Sequence, residues 1–265
     1  MNATDVLPLI TVVTPVFNGE RFIRSCIENV ALQDYPRTRH IIVDGASTDR
    51  TVPIVEELRQ KYGHITLISE KDRGQSDAIN KGIRAAMSEY VGILNVDDFY
   101  QPGVLARVGQ IIGSLREPSF IVANCNIWDE NGELQHVNKP RHLEIEKLLL
   151  GGRYFPYPCN PAAYFYPKRL HDIVGFYDVH DHYAMDLRFI LAAVQHIKAL
   201  YVDEVWGNFR LIPGTKTFED RKRGTAPQRK MKIYVGAFLR APLKTQMQVA
   251  PRWVLYRLVK KLGLK

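Results

Sequence analysis

Read from its N-terminus, the chain alternates short β-branched runs with amphipathic stretches. Leu9-Ile-Thr-Val-Val-Thr14 predicts a buried strand, ended by Pro15. Phe22, Ile23, Cys26, Ile27 and Val30 then recur at helical spacing within Gly19 to Gln33. His40 to Asp44 predicts a second strand, and a helix running to Lys61 follows it, with Ser47 or Thr48 as its cap. Ile65 to Ser69 is a third strand, Gln75 to Met87 a helix and Tyr90 to Leu94 a fourth strand. Crossovers this short imply an α/β chain with a doubly wound, mostly parallel sheet, whose ligands sit at the C-terminal ends of the strands.

Beyond Asp98 the pattern predicts a helix from Gly103 to Leu115, a strand from Phe120 to Asn124 and a turn at Asp129-Glu-Asn-Gly132. Gly151 to Pro167, with four Pro and four Tyr, is expected to be a loop-rich wall beside an acceptor, its pocket shaped between Tyr154 and Tyr166. Helix returns over Ala184 to Gln195, and strand-like segments lie at Leu200 to Val202 and Trp206 to Leu211. Two further helices, Gln228 to Ala241 and Val249 to Leu262, are separated by Pro242 and Pro251.

Charge divides the chain in two. The 265 residues carry 36 Lys and Arg against 28 Asp and Glu, a formal net charge of +8. Thirteen of the basic residues and none of the acidic ones fall between Arg221 and Lys265, which leaves a mildly acidic body over residues 1–220. Composition excludes disorder, collagen-like repetition and a disulfide scaffold. Cys26, Cys125 and Cys159 show no paired spacing, and no secretory leader or membrane-length apolar run is present, so a cytosolic chain is expected.

Acidic residues fall at three successive strand ends: Asp44, then Glu70 and Asp72, then Asp97-Asp98. Asp97-Asp98 taken alone could equally cap the next helix. Three strands together place carboxylates along one rim, which suits a divalent cation holding a diphosphate.

Thr14-Pro-Val-Phe-Asn18, Val43-Asp-Gly-Ala-Ser-Thr-Asp49, Asp72-Arg-Gly-Gln-Ser-Asp-Ala-Ile-Asn-Lys-Gly82 and Leu94-Asn-Val-Asp-Asp98, in that order, resemble the family 2 glycosyltransferases of GT-A fold. Val174-Gly-Phe-Tyr-Asp178 and Tyr183-Ala-Met-Asp186 resemble the family's acceptor-side block, so the likeness runs over roughly residues 9 to 216. The resemblance implies a Rossmann-like catalytic domain over 1–220, with a nucleotide-sugar half to about 100 and an acceptor half beyond it. It implies that a turn at Thr14-Pro15, with Phe17, Asp44 and Asp72, holds the nucleotide. Asn95, Asp97 and Asp98 then stand at the DxD-type motif, Asp97 and Asp98 binding Mn²⁺ or Mg²⁺. Asp186 matches the catalytic base, and Arg210 and Lys216 match the late block that contacts the diphosphate.

By residue type alone, Asp49 closes a turn, Asp77 and Asn80 cap or brace a helix, and Asp186 is an acid in a first helical turn. Arg210 and Lys216 could be surface charges, and His180 and His182 lack a third metal ligand. Two positions depart from the family pattern: Asn95 replaces the first acid of a DxDD form, and Arg188 replaces a second acid after Asp186. A processive-type QxxRW motif is absent. The resemblance thus implies an inverting, metal-dependent, non-processive transfer of one sugar, from a nucleotide-sugar with UDP favoured, to a glycan or polyprenyl-linked acceptor in polysaccharide assembly. A catalytically silent nucleotide-sugar binder or scaffold is the rival from another class, and a nucleotidyltransferase would need a Gly-rich basic loop that Thr14-Pro-Val-Phe-Asn-Gly lacks.

In the tail, Val254, Leu255, Leu258, Val259 and Leu262 share one helical arc, and Arg252, Arg257, Lys260 and Lys261 the other. Residues 221–265 therefore form a basic amphipathic appendage suited to an anionic membrane surface, here the inner face of the cell membrane. The competing use of that apolar arc is packing, on the catalytic domain or on a second subunit in a homodimer. No nucleic-acid-binding motif accompanies the charge.

Overall fold

The computed structural model of the chain describes residues 7–151, 155–181, 183–224 and 226–261, with no side chain described at 221 or 254–261. Tyr154, His182 and the apolar arc of Val254, Leu255, Leu258, Val259 and Leu262 lie outside that description. β1 (Ile10–Val16) is buried along its whole length and occupies the middle of the first half of the sheet. It leads through α1 (Ile23–Ala31) to β2 (Thr38–Asp44), α2 (Thr51–Lys61), β3 (Ile65–Ser69), α3 (Gln75–Ala85) and β4 (Tyr90–Ile93). β1 pairs in parallel with both β2 and β4, and β2 with β3. The order β3-β2-β1-β4 opens a crevice at the C-terminal ends of β1 and β4, where the winding reverses.

Each helix is held by the stripe that its sequence supplies. α1 buries Ile23, Cys26, Ile27 and Val30. α3 comes closer to the sheet than a side chain would permit: a Cβ on Gly82 would lie 2.3 Å from Val13 Cγ1. Glycine at that point is a packing requirement, because any methyl there forces the helix off β1. The helix that ends at Lys61 begins at Thr51 and has no Ser47 or Thr48 cap; Asp49 accepts from the Thr51 N–H at 2.9 Å instead.

The second half is not wound in parallel throughout. β5 (Phe99–Tyr100), α4 (Val104–Ser114), β6 (Phe120–Trp128), β7 (Leu134–Asn138) and α5 (Ile145–Leu148) come next, followed by a 3₁₀ turn (Pro161–Ala163) and β8 (Tyr164–Pro167). After α6 (Leu170–Val174) and α7 (Met185–Ala193), β9 (Ala199–Arg210) runs as one strand where two segments were expected. β8 lies antiparallel between β4 and β6, β7 and β5 are also antiparallel, and β9 is parallel to β6. Gly151 to Pro167 is therefore not a loop-rich wall throughout. Its last four residues are a central strand in which Tyr164, Phe165 and Tyr166 are fully buried, each ring worth about 2–3 kcal/mol of apolar burial.

Three helices close the chain: α8 (Lys216–Arg223), α9 (Ala226–Arg240) and α10 (Leu243–Lys261). The charge boundary at residue 220 falls inside α8, and α9 and α10 join the body. Ile233, Tyr234, Ala241 and Val249 are buried in the same core as Phe189 and Tyr164. Pro242 breaks the tail, whereas Pro251 sits within α10. No helix among the described residues is long and apolar enough to cross a membrane.

Candidate active site

The loops after β1 and β2 are tied into one unit. Asn18, in the left-handed region at φ 49°, donates its N–H to Ser47 Oγ at 2.8 Å and accepts from the Thr48 N–H at 2.9 Å. The Gly19 N–H goes to Thr51 Oγ1, and the Glu20 N–H to Asp49 Oδ2. These bonds give Asp49 the structural role that residue type suggested. They also explain why the two sequence blocks occur together.

Asp44 ends β2 fully buried and accepts from the Ser69 hydroxyl at 2.7 Å and the Ser47 N–H at 3.1 Å. Asp72 stands against the bare Cα of Gly45 and receives the Gly74 N–H at 2.7 Å, at the start of α3. The two carboxylates thus flank the same glycine at the sheet rim. Thr14 and Pro15 lie within β1, not in a turn. The Thr14 hydroxyl points into the core, 2.9 Å from His40 Nε2, which leaves its side chain committed to packing. Phe17 projects past the strand, 63% exposed.

After β4, Asp98 is buried and joins its own loop to two distant pieces of chain. Its Oδ2 accepts from Asn95 Nδ2 at 3.0 Å and Asn160 Nδ2 at 2.8 Å, and its Oδ1 accepts from the Arg210 N–H at 3.1 Å. Burial, and then the charge of Asp97, hold its carboxyl well above the usual range, against the hydrogen bonds it accepts. Asp97 is also raised by burial, opposed by its own backbone N–H and by the Arg210 guanidinium. No side-chain donor bonds to Asp97 among the described residues. Arg210 lies over the Phe99 ring, 4.6 Å from its centroid.

Asn95 continues the line inward. It accepts from Gln75 Nε2 at 2.8 Å, and both residues line a cavity of about 840 Å³. Asp186 and Lys216 line the same cavity. Asp186 sits in the first turn of α7, and the Tyr164 hydroxyl donates to its Oδ1 at 3.0 Å. Burial pushes the Asp186 carboxyl up to about 6; the Tyr164 hydrogen bond pulls down and nearby Asp181 pushes up. The other acid in the lining, Asp220, is locked by Arg229 through two 2.8 Å bonds. Partial burial lowers the Lys216 ammonium, against the attraction of Asp72. Arg188, at the family's second acidic position, donates instead to Asp181, the carboxylate that closes the turn into α7.

The structure therefore brings Asn95, Asp186 and Lys216 into one cavity, with Asp97, Asp98 and Arg210 adjoining it through Asn95. Asp44 and Asp72 sit outside the cavity lining, further along the rim. Sequence reading missed Tyr164 and Asn160, and it missed that α9 of the tail supplies Lys230 and Tyr234 to the cavity wall. Asn160-Pro161 carried a turn signal, and Asn160 does open the 3₁₀ turn by accepting from the Ala162 N–H. Tyr164 carried none, since its partner lies 22 residues away on another element.

Among the described residues no three His, Cys, Asp or Glu side chains gather as a metal site. The donors at Asp97–Asp98 nevertheless fit a hard divalent cation that completes its shell with phosphate oxygens and water, since such ions commonly take one or two protein carboxylates. Asp97, which no side chain occupies, is the available one.

Comparison with known proteins bears on the family and the fold. YibD of Escherichia coli (strain K12), described as an uncharacterized glycosyltransferase, is 30% identical over 154 residues, 57% of this chain and 43% of that one. The chain spans between about a fifth and less than half of the length of the curated relatives it matches. Staphylococcus aureus TarS 1-349 in complex with UDP-GlcNAc superposes with TM-score 0.68 at 18% identity, over 91% of this chain and 69% of that one. The Pyrobaculum calidifontis mannosyltransferase PcManGT, in complex with GDP-Man and Mn²⁺, gives 0.61 at 19%, over 95% and 81%. At those identities the likeness establishes the GT-A fold. The profile of Glycosyl transferase family 2 matches residues 11–166, more than half of the chain, and the chain belongs to that family.

Proposed function

We propose that the protein is an inverting, metal-dependent glycosyltransferase that moves one sugar from a nucleotide-sugar to an acceptor hydroxyl. The observation that carries this reading is Asp186. It is a carboxyl raised to about 6 and oriented by Tyr164, in a cavity it shares with Asn95 beside the Asp97–Asp98 pair. A base near neutral pKa is ionised at pH 7, yet basic enough to take a proton from a hydroxyl.

The chain's own residues divide the work. Asp44 and Asp72 at the rim accept hydrogen bonds from the base and ribose, and Phe17 covers that end. Asp97, with Asp98 behind it, would hold a Mn²⁺ or Mg²⁺ ion, which when bound supplies Lewis-acid stabilisation of the departing diphosphate. Arg210 and Lys216 bring positive charge to the same leaving group. Asp186 removes the acceptor proton as the hydroxyl attacks the anomeric carbon opposite the diphosphate. With Asp220 held by Arg229, Asp186 is the cavity carboxylate without a cationic partner among the described residues. A single base with in-line attack inverts the anomeric centre, through an oxocarbenium-like transition state by analogy with glycosidases.

The UDP-GlcNAc and GDP-Man in the TarS and PcManGT complexes support a nucleotide-sugar donor, and in this reading its nucleoside is uridine. The acceptor in this reading is a glycan, polyprenyl-linked, in polysaccharide assembly at the inner face of the cell membrane. Thermal shifts with UDP-, GDP- and dTDP-sugars, with and without Mn²⁺, identify the donor. Release of free nucleoside diphosphate in the same mixtures then separates an enzyme from a silent binder, which gives a shift and no release.

A further inference from the structure

α10 has two unlike faces. The inner one follows Ala241 at four-residue steps through Thr245, Val249 and Trp253. Val249 is fully buried, the Thr245 hydroxyl donates to Glu146 at 2.9 Å, and the Trp253 indole N–H donates to the Leu149 carbonyl at 3.0 Å. Trp253 also lies 4.8 Å from the Phe238 ring of α9. These contacts are enough to hold the helix on the body.

The outer face is left over by that packing. Leu243 and Met247, one turn apart, are 72% and 68% exposed, and Leu239 on the last turn of α9 is 66% exposed. The corner at Pro242 is fixed by Gln246, whose amide donates to the carbonyls of Leu239 at 3.4 Å and Ala241 at 2.8 Å. Arg240 and Lys244 are exposed around the same corner. No acid occurs from 221 to 265. Large apolar side chains clustered with cations, on a surface that the fold does not need to bury, mark an interaction site.

The chemistry points to lipid rather than protein. The surface is a convex helix corner whose aromatic residues, Phe238 and Trp253, face inward on each other, whereas protein interfaces favour exposed aromatic anchors. Flexible Leu and Met beside Lys and Arg, which can lay their stems on apolar material and keep their charge in water, suit an anionic interface.

We infer that the α9–α10 corner docks on an anionic bilayer, with Leu239, Leu243 and Met247 entering the headgroup boundary and Arg240 and Lys244 meeting lipid phosphates. This surface is distinct from the arc at 254–262 that the sequence suggested. Lys230, on the cavity wall, precedes Leu239 by nine residues of α9, about 14 Å along the helix axis. Docking therefore sets the cavity within a short glycan's reach of the bilayer. That consequence rests on the transferase reading above, whereas the docking does not.

The test is flotation of the full chain with vesicles of phosphatidylcholine alone or with added phosphatidylglycerol. The expected result is flotation with the anionic vesicles, weakened by salt, and little with phosphatidylcholine. The double substitution Leu243→Gln, Met247→Gln should keep the thermal transition and lower vesicle affinity about tenfold. Equal flotation of parent and variant, or no flotation of the parent with phosphatidylglycerol, overturns the docking. A lower sedimenting mass in the variant alone also overturns it, by making the corner a contact between copies. Nucleotide-sugar hydrolysis without vesicles separates the two readings: an inactive parent that still floats sinks the transferase, while an active parent that does not float sinks the docking.

Discussion

Tyr164 of β8 donates its hydroxyl to Oδ1 of Asp186 in α7, at 3.0 Å. Burial keeps that phenol protonated by raising it well above its ordinary range, so it acts as a donor throughout the working pH range. The bond favours the ionised form of Asp186 and opposes the burial that pushes the carboxyl up to about 6. Tyr164→Phe should therefore raise the Asp186 pKa further. Because the base acts as the carboxylate, the acidic limb of kcat/KM moves to higher pH, with a several-fold loss at neutral pH recovered in alkali. A uniformly lower rate with an unmoved limb would make Tyr164 merely structural.

Asp186→Asn should lose turnover by about 10²–10⁴-fold and keep nucleotide-sugar affinity. It should also be more stable than the parent at pH 7. With a folded pKa near 6 and an unfolded one of about 3.9, the native state binds the extra proton, so stability falls as pH rises through that window. Removing the buried charge returns about 1–3 kcal/mol at pH 7 and almost nothing at pH 4. Urea denaturation of both proteins at the two pH values reads this directly, and unchanged turnover would remove Asp186 from the base role.

The part of the fold that was legible is the part that local periodicity controls. β1, β2 and β4 bury nearly unbroken apolar runs, the helices between them bury apolar stripes, and the Asp49 turn at the head of α2 closes on Thr51 two residues away. What was not legible depends on distant pairing. Asp98 meets Asn160 and Arg210 across 62 and 112 residues, and β8 is inserted between β4 and β6 by a chain segment rich in Pro and Tyr. The family resemblance implies a turn at Thr14-Pro15, yet both residues pair with β2, and the Thr14 hydroxyl is used on His40. Pro251 looked like a helix break and is accommodated within α10.

The neighbouring acids Asp97 and Asp98 should behave differently. Both oxygens of Asp98 accept from donors, so Asp98→Asn turns an N–H toward one of them and leaves buried groups unpaired, at a cost of about 2–4 kcal/mol. Asp97→Asn meets no donor side chain and removes a charge that burial disfavours, so the thermal transition at pH 7 should hold or rise slightly. If Asp97 is the metal-facing carboxylate, it loses the Mn²⁺-dependent part of nucleoside diphosphate affinity. Calorimetric titration with and without Mn²⁺, beside a melting curve for each variant, checks both halves. Full retention of the Mn²⁺ effect in Asp97→Asn would exclude that role.

Gly45 provides a test of the rim that avoids changing any acid. A Cβ there would fall 2.6 Å from Asp72 Oδ2, so Gly45→Ala must turn the Asp72 carboxylate away from the Gly74 N–H. Asp72 is half-buried and can swing toward water, which limits the loss of stability to about 1 kcal/mol. If Asp44 and Asp72 together hold the nucleotide base, UDP affinity falls about tenfold, equivalent to about 1.4 kcal/mol. The rate at saturating donor should change little, because Asp186 and Asp97 lie on other elements. Unaltered UDP binding in Gly45→Ala, with the fold intact, would place the base away from Asp72.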